Sequence, residues 1–129
     1  MSEKGKKILI VDDEGIIRDC CMKALSARGY DVHTAEDGQE GLNKICDNHY
    51  DVIFLDLVMP RMDGQAVAHN ISGLSEQTKI IVISGSSTDE AQQKARDMGA
   101  HFYLEKPFTP SDLVDAIRSV TAEVYKQAP

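Results

Sequence analysis

Ile8-Leu9-Ile10-Val11-Asp12-Asp13-Glu14 runs four apolar residues directly into three acids, and three later stretches repeat the design. Val52 to Leu55 stops at Asp56, Ile80 to Ile83 stops at Ser84, and Phe102 to Leu104 stops shortly before Lys106. Short continuous apolar runs bounded by polar residues are the mark of strands buried on both faces, as in a parallel sheet. In open α/β sheets ligands bind beyond the carboxyl ends of the strands. The four stops therefore predict one crevice in which three carboxylates, a hydroxyl and an ammonium meet.

Between these strands lie stretches of helical period, so the chain reads as five βα units. Ile17, Cys21, Ala24 and Leu25 recur at spacings of three and four, Gly29 is placed to cap the first helix, and Asp31 to Ala35 forms a more polar edge strand. Asp37 with Glu40 forms a capping box ahead of Leu42 and Ile45, which predicts a second helix ending near Asn48. Pro60 keeps Met59 out of the α region, so residues 59–64 form a loop, followed by a short third helix carrying Ala66, Val67, Asn70 and Ile71. Ser87 with Glu90 predicts a fourth helix over Thr88 to Met98 closed by Gly99. Thr109 and Pro110 open a fifth, which buries Leu113, Ile117, Val120 and Val124.

A chain of 129 residues accommodates one domain, with a core over about residues 6–125 and short termini. Its 42% hydrophobic and 27% charged residues suit a globular protein, and no apolar run reaches the roughly 18 residues of a membrane span. The apolar stretch after Lys6 and Lys7 is too short for a secretory signal, so a cytoplasmic location is expected. A net charge of −7 disfavours a phosphate-backbone surface, so direct nucleic-acid binding is not expected. Cys20, Cys21 and Cys46 match neither a disulfide framework nor a zinc pattern and read as buried free thiols. The four histidines offer no i, i+4 pair for a metal and read as surface or capping residues.

Three carboxylates about 5 Å apart repel by roughly 3 kcal/mol per pair at an effective dielectric near 20. Either one stays protonated or a hard cation neutralises them, and Mg²⁺, which accepts carboxylates and keeps several waters, is the expected ion. Asp12 and Asp13 are consecutive and point differently, so one would ligate directly and the other through water. A cation beside Asp56 also allows that carboxylate to attack an incoming phosphoryl group, giving an acyl phosphate. Lys106 would pair with the phosphoryl oxygens and the Ser84 hydroxyl would donate to another. Taken singly, each group has a plainer reading: helix N-terminal acids, a solvated lysine, a capping serine and, at Tyr103, a half-buried strand aromatic.

Together, these residues resemble the receiver domains of two-component response regulators across essentially the whole chain. The marks are Val11 to Glu14; Asp56 with Met59, Pro60, Met62, Asp63 and Gly64; Ser84; and Tyr103, Lys106, Pro107 and Phe108. The resemblance implies a flavodoxin-like (βα)5 three-layer α/β sandwich whose parallel sheet has the order 2-1-3-4-5. It implies Asp56 as phosphoacceptor, Asp12, Asp13, Asp56 and the Val58 main-chain carbonyl as Mg²⁺ ligands, Lys106 and Ser84 as catalytic partners, and Ser84 and Tyr103 as the switch pair. It implies as phosphoryl donor a phosphohistidine on a sensor kinase or histidine phosphotransfer protein. It also implies a downstream protein bound through the face of the fourth helix, fifth strand and fifth helix, and a cis peptide between Lys106 and Pro107.

The expected protein is not an enzyme on separate substrates but a stand-alone, chemotaxis-regulator-like switch. With no effector domain after Pro129, its output would pass to another protein. A phosphorylation-independent interaction module, or a receiver excised from a larger regulator or hybrid kinase, is the alternative. A haloacid dehalogenase-like phosphohydrolase needs an acid where Val58 stands. A flavodoxin-like cofactor site needs a phosphate loop where Asp12, Asp13 and Glu14 stand. Val58 cannot orient a water by hydrogen bonding and Ser86 is its companion in the resemblance, so slow to moderate self-dephosphorylation is expected.

Overall fold

A computed structural model describes residues 5–56, 69, 77–86 and 88–121. In chain order these form β1 (Lys7–Val11), α1 (Gly15–Ser26), β2 (Asp31–Ala35), α2 (Gly38–Asp47), β3 (Val52–Asp56), β4 (Lys79–Ser84), α3 (Asp89–Asp97), β5 (Phe102–Glu105) and α4 (Pro110–Thr121). The α3 and α4 segments are the fourth and fifth helices of the sequence reading. The expected third helix, the residue 59–64 loop, Val58, Ser87 and Val124 lie outside the described residues.

The strands form one parallel sheet in the order β2-β1-β3-β4-β5, as the resemblance implies. Alternation along the strands explains the layering, because successive side chains point to opposite faces. Ile8, Ile10, Val52, Phe54, Ile81 and Ile83 pack on one side with Cys21 and Leu25 of α1 and Leu113, Ile117 and Val120 of α4. Leu9, Val11, Ile53, Leu55, Ile80 and Val82 pack on the other, with Ala95 of α3 and the half-buried Leu42 and Ile45 of α2. Both faces of β1, β3 and β4 are thereby covered, which is why those segments read as unbroken apolar runs. At Gly41 a Cβ would stand 3.2 Å from Val11 Cγ2, so glycine lets α2 lie close on β1.

The helix ends show where the sequence reading holds and where it shifts. Thr109 and Asp112 cap each other: Asp112 N donates to Thr109 Oγ1 at 3.1 Å and Thr109 N to Asp112 Oδ2 at 2.9 Å. Asp37 accepts from Glu40 N at 2.8 Å, but Glu40 reaches back to Glu36 N rather than to Asp37 N. Thr88 caps α3 instead of belonging to it, accepting from Ala91 N at 3.1 Å, because its extended backbone frees the hydroxyl for that role. Gly29 and Gly99 take φ of 94° and 86°, where a side chain would be strained.

Two expectations are corrected. Cys21 is buried but Cys20 and Cys46 are exposed, because each lies on the solvent side of an amphipathic helix. Phe102 opens β5 with 36% of its surface exposed, because β5 is the second edge of the sheet and is covered less than the central strands. Two histidines serve local roles: His101 Nδ1 accepts from Ile80 N at 3.1 Å, and His33 Nδ1 shares a hydrogen bond of 2.7 Å with the Tyr50 hydroxyl.

Candidate functional site

Strand register assembles the crevice. Val11 pairs with Leu55, so Asp12 emerges beside Asp56; Asp56 pairs with Ile83, and Ser84 follows it. Ser84 in turn pairs with Glu105, and Lys106 N donates to the Ser84 carbonyl at 2.7 Å. Four strands thus deliver their terminal polar residues to one edge, with a cis peptide between Lys106 and Pro107.

Asp12, Asp13 and Asp56 each bring a carboxylate oxygen within 4.8 Å of the others. Asp12 and Asp56 are buried whereas Asp13 is exposed, so the consecutive acids do differ in direction. Lys106 Nζ lies 3.0 Å from Asp12 Oδ2, 3.5 Å from Asp56 Oδ2 and 2.6 Å from Glu14 Oε1. Burial pulls the Lys106 ammonium toward its neutral form, but Glu14, Asp12 and Asp56 outweigh it and hold its pKa above the ordinary lysine value.

Asp12 is anchored from three directions. Its Oδ1 accepts from Glu14 N at 2.8 Å, its main-chain carbonyl accepts from Arg18 Nη1 at 2.8 Å, and its own N–H donates to the Ala35 carbonyl at 3.1 Å. Its Oδ2 is buried and accepts no hydrogen bond, so the Lys106 contact there is an ion pair without hydrogen-bond alignment. A buried carboxylate oxygen with an unfilled lone pair, facing two further carboxylates, fits a hard divalent cation.

At the far side of the crevice, buried Ser84 accepts from Ser86 N through its Oγ at 3.1 Å. The half-buried Tyr103 donates its hydroxyl to the Ser86 carbonyl, so the ring lies against the β4–α3 connection. The structure therefore brings together Asp12, Asp13, Asp56, Ser84 and Lys106, with Tyr103 linked to Ser84 through Ser86. Glu14 and Arg18 were given no role from sequence. Adjacency to the acid pair hinted at the first, and a spacing of one helical turn from Glu14 at the second.

A three-layer α/β domain with this acid cluster and lysine at the carboxyl edge of a 2-1-3-4-5 sheet defines the class, and the chain belongs to the response regulator receiver domain family, whose model matches residues 8–118. Among relatives, it is similar to the response regulator MprA of Mycobacterium sp. (strain KMS), with 34% identity over 114 residues, covering 88% of this chain and 50% of MprA. The chain spans about half the length of the curated relatives it matches. Among solved structures, the chemotaxis protein CheY4 of Vibrio cholerae superposes with a TM-score of 0.85 at 33% identity, covering 90% of this chain and 98% of CheY4. The response regulator TrrA of Thermotoga maritima, solved in complex with Mg²⁺ and BeF, gives 0.78 at 32% identity, covering 89% of this chain and 98% of TrrA.

Proposed function

We propose that this receiver takes a phosphoryl group from a phosphohistidine of a sensor kinase or histidine phosphotransfer protein onto Asp56, and thereby switches a protein-binding surface. The observation that carries the reading is the buried Asp56 carboxylate held 3.5 Å from Lys106 within a cluster of three acids. Such a carboxylate is a nucleophile in want of a cation, and the Lys106 ammonium is a point charge for the oxygens of the group it receives.

Asp12, Asp13, Asp56 and the Val58 main-chain carbonyl are the proposed holders of Mg²⁺, and the relative TrrA was solved with that ion. When bound, the ion neutralises the phosphoryl oxygens. Asp12 keeps its direction through Glu14 N–H and Arg18, so its second oxygen, Oδ2, stays on the Lys106 side of the crevice. Lys106 draws the arriving oxygens toward Asp56, and the Ser84 hydroxyl turns from Ser86 N–H to donate to one of them. Because Tyr103 holds the Ser86 carbonyl, movement at Ser84 is transmitted to the ring and to the face made by α3, β5 and α4. The output partner on that face is a protein rather than a nucleic acid, given the net charge of −7.

The domain self-catalyses this transfer, has no separate substrate, works in the cytoplasm and loses its phosphoryl group slowly to moderately. Among the described residues no helix is long and apolar enough to cross a membrane. A place within a longer regulator is favoured by the half-length match to MprA, and a stand-alone role by the nearly complete match to CheY4. The mass of the native product in cell extract decides between them.

The test is incubation with acetyl phosphate and Mg²⁺, followed by intact-mass and peptide analysis, and a pull-down with and without beryllofluoride. One phosphoryl group on Asp56 and a partner retained only with beryllofluoride are expected. No mass change in the wild type, or equal retention by Asp56→Asn and wild type under both conditions, refutes the reading.

A further inference from the structure

Glu14 stands outside the cluster of acids suited to a metal, yet it makes the shortest contact to Lys106, 2.6 Å against 3.0 Å for Asp12 and 3.5 Å for Asp56. Its backbone is placed firmly. Glu14 N donates to Asp12 Oδ1, and its carbonyl accepts from Arg18 N at 3.1 Å as the first turn of α1 begins. As the N-cap of α1 it offers no side-chain hydrogen bond to the helix, so the carboxylate is free to cross from the β1–α1 loop to the β5–α4 loop. The two ends of this contact differ in exposure: the Lys106 side chain is 16% exposed and that of Glu14 59%.

We propose that Glu14 is a latch on Lys106: in the resting receiver it holds the ammonium at the mouth of the crevice, and it must release it before a phosphoryl group can settle on Asp56. This rests on Asp56 being the phosphoacceptor. With acetyl phosphate, a carboxylate oxygen of Asp56 bonds to phosphorus, the phosphorus–oxygen bond to the acetyl group breaks, and acetate leaves with that electron pair. The transfer itself exchanges no proton. Lys106 can assist only by turning toward the phosphoryl oxygens, and the shortest contact that competes for it is the one from Glu14. Since the Glu14 end is largely solvated, release is cheap and the latch slows the reaction without preventing it. Glu14 is thus a positioning residue, acting through Lys106.

Exposed ion pairs alter equilibria by factors of up to about five. In saturating Mg²⁺ and low salt, Glu14→Ala and Glu14→Gln are therefore expected to accept the phosphoryl group from acetyl phosphate roughly two to five times faster than the wild type. The gain is expected to shrink toward unity in about 1 M salt, where the screening length falls to roughly 3 Å and the latch of the wild type loosens. A merely structural effect would not follow salt in that way. An unchanged or slower rate in both variants at low salt, or a gain that salt leaves undiminished, overturns the latch while Asp56 phosphorylation in the wild type still stands. A wild type that takes no phosphoryl group at all overturns the functional reading and the latch with it.

Discussion

Replacing Asp56 by asparagine should make the metal-free protein more stable, although it removes a central group of the site. Asp56 lies within 4.8 Å of both Asp12 and Asp13, and at an effective dielectric near 20 each such pair of carboxylates repels by roughly 3.5 kcal/mol. Against this, Lys106 at 3.5 Å attracts Asp56 by roughly 4.7 kcal/mol on the same scale. The two repulsions exceed the attraction by roughly 2 kcal/mol, and the exposure of Asp13 trims the gain to about 1 to 2 kcal/mol. For a domain of 129 residues that corresponds to a rise in Tm of roughly 4 to 8 °C. The assay is thermal unfolding by circular dichroism at neutral pH, in chelator and across a Mg²⁺ titration. Ligand linkage predicts that Mg²⁺ raises the Tm of the wild type more than that of Asp56→Asn, so the gap narrows as the ion is added. An Asp56→Asn variant that melts at or below the wild type in chelator would refute the charge reasoning. A gap insensitive to Mg²⁺ would refute the cation.

Lys106→Met should cost about 2 to 3 kcal/mol in chelator, less than the roughly 3 to 5 of a fully buried pair because Glu14 is solvated, with Mg²⁺ restoring part of the loss in the same melts. The Lys106 pKa is raised on folding, so its stabilisation is complete below the unfolded value of 10.5 and is lost as pH rises beyond it. An alkaline unfolding series should show that decline in the wild type and not in Lys106→Met. Burial, aided by the Asp12 carboxylate, pushes the Cys21 thiol up to about 12, so iodoacetamide at pH 8 should label Cys20 and Cys46 and spare Cys21 until the protein unfolds, as peptide mass spectrometry would register. Thr109→Ala removes one half of the reciprocal cap on α4 and should cost about 1 kcal/mol in urea unfolding, while Thr109→Ser should be near neutral.

Much of the site was legible because a parallel sheet buried on both faces leaves little freedom. Ile8 to Val11 and Val52 to Leu55 read as interior strands from their length and their polar stops, and as strands they put the residues after them at the sheet's edge. The caps at Asp37 and Thr109 read correctly because they act over three residues, although the return bond from Glu40 goes to Glu36 N and not to Asp37 N. Thr88, read from sequence as the first residue of that helix, is its cap, because its extended backbone leaves the hydroxyl free to accept from Ala91 N. Cys20 and Cys46 are exposed because the helical period turns them away from the sheet, whereas the exposure of Phe102 depended on β5 standing at the sheet's second edge, a matter of strand order.

From sequence alone came the family, the five strands and the residues Asp12, Asp13, Asp56, Ser84 and Lys106, since each is specified by a local run and its stop. Tertiary structure alone decided how Asp12, Asp56 and Glu14 share the Lys106 ammonium. Asp12 and Lys106 are far apart in the chain, and the 2.6 Å contact from Glu14 to Lys106 spans 92 positions. Distances of that kind are set by strand order and register, which place β1 and β5 loops over one edge, and Coulomb energy at such range is sensitive to every ångström.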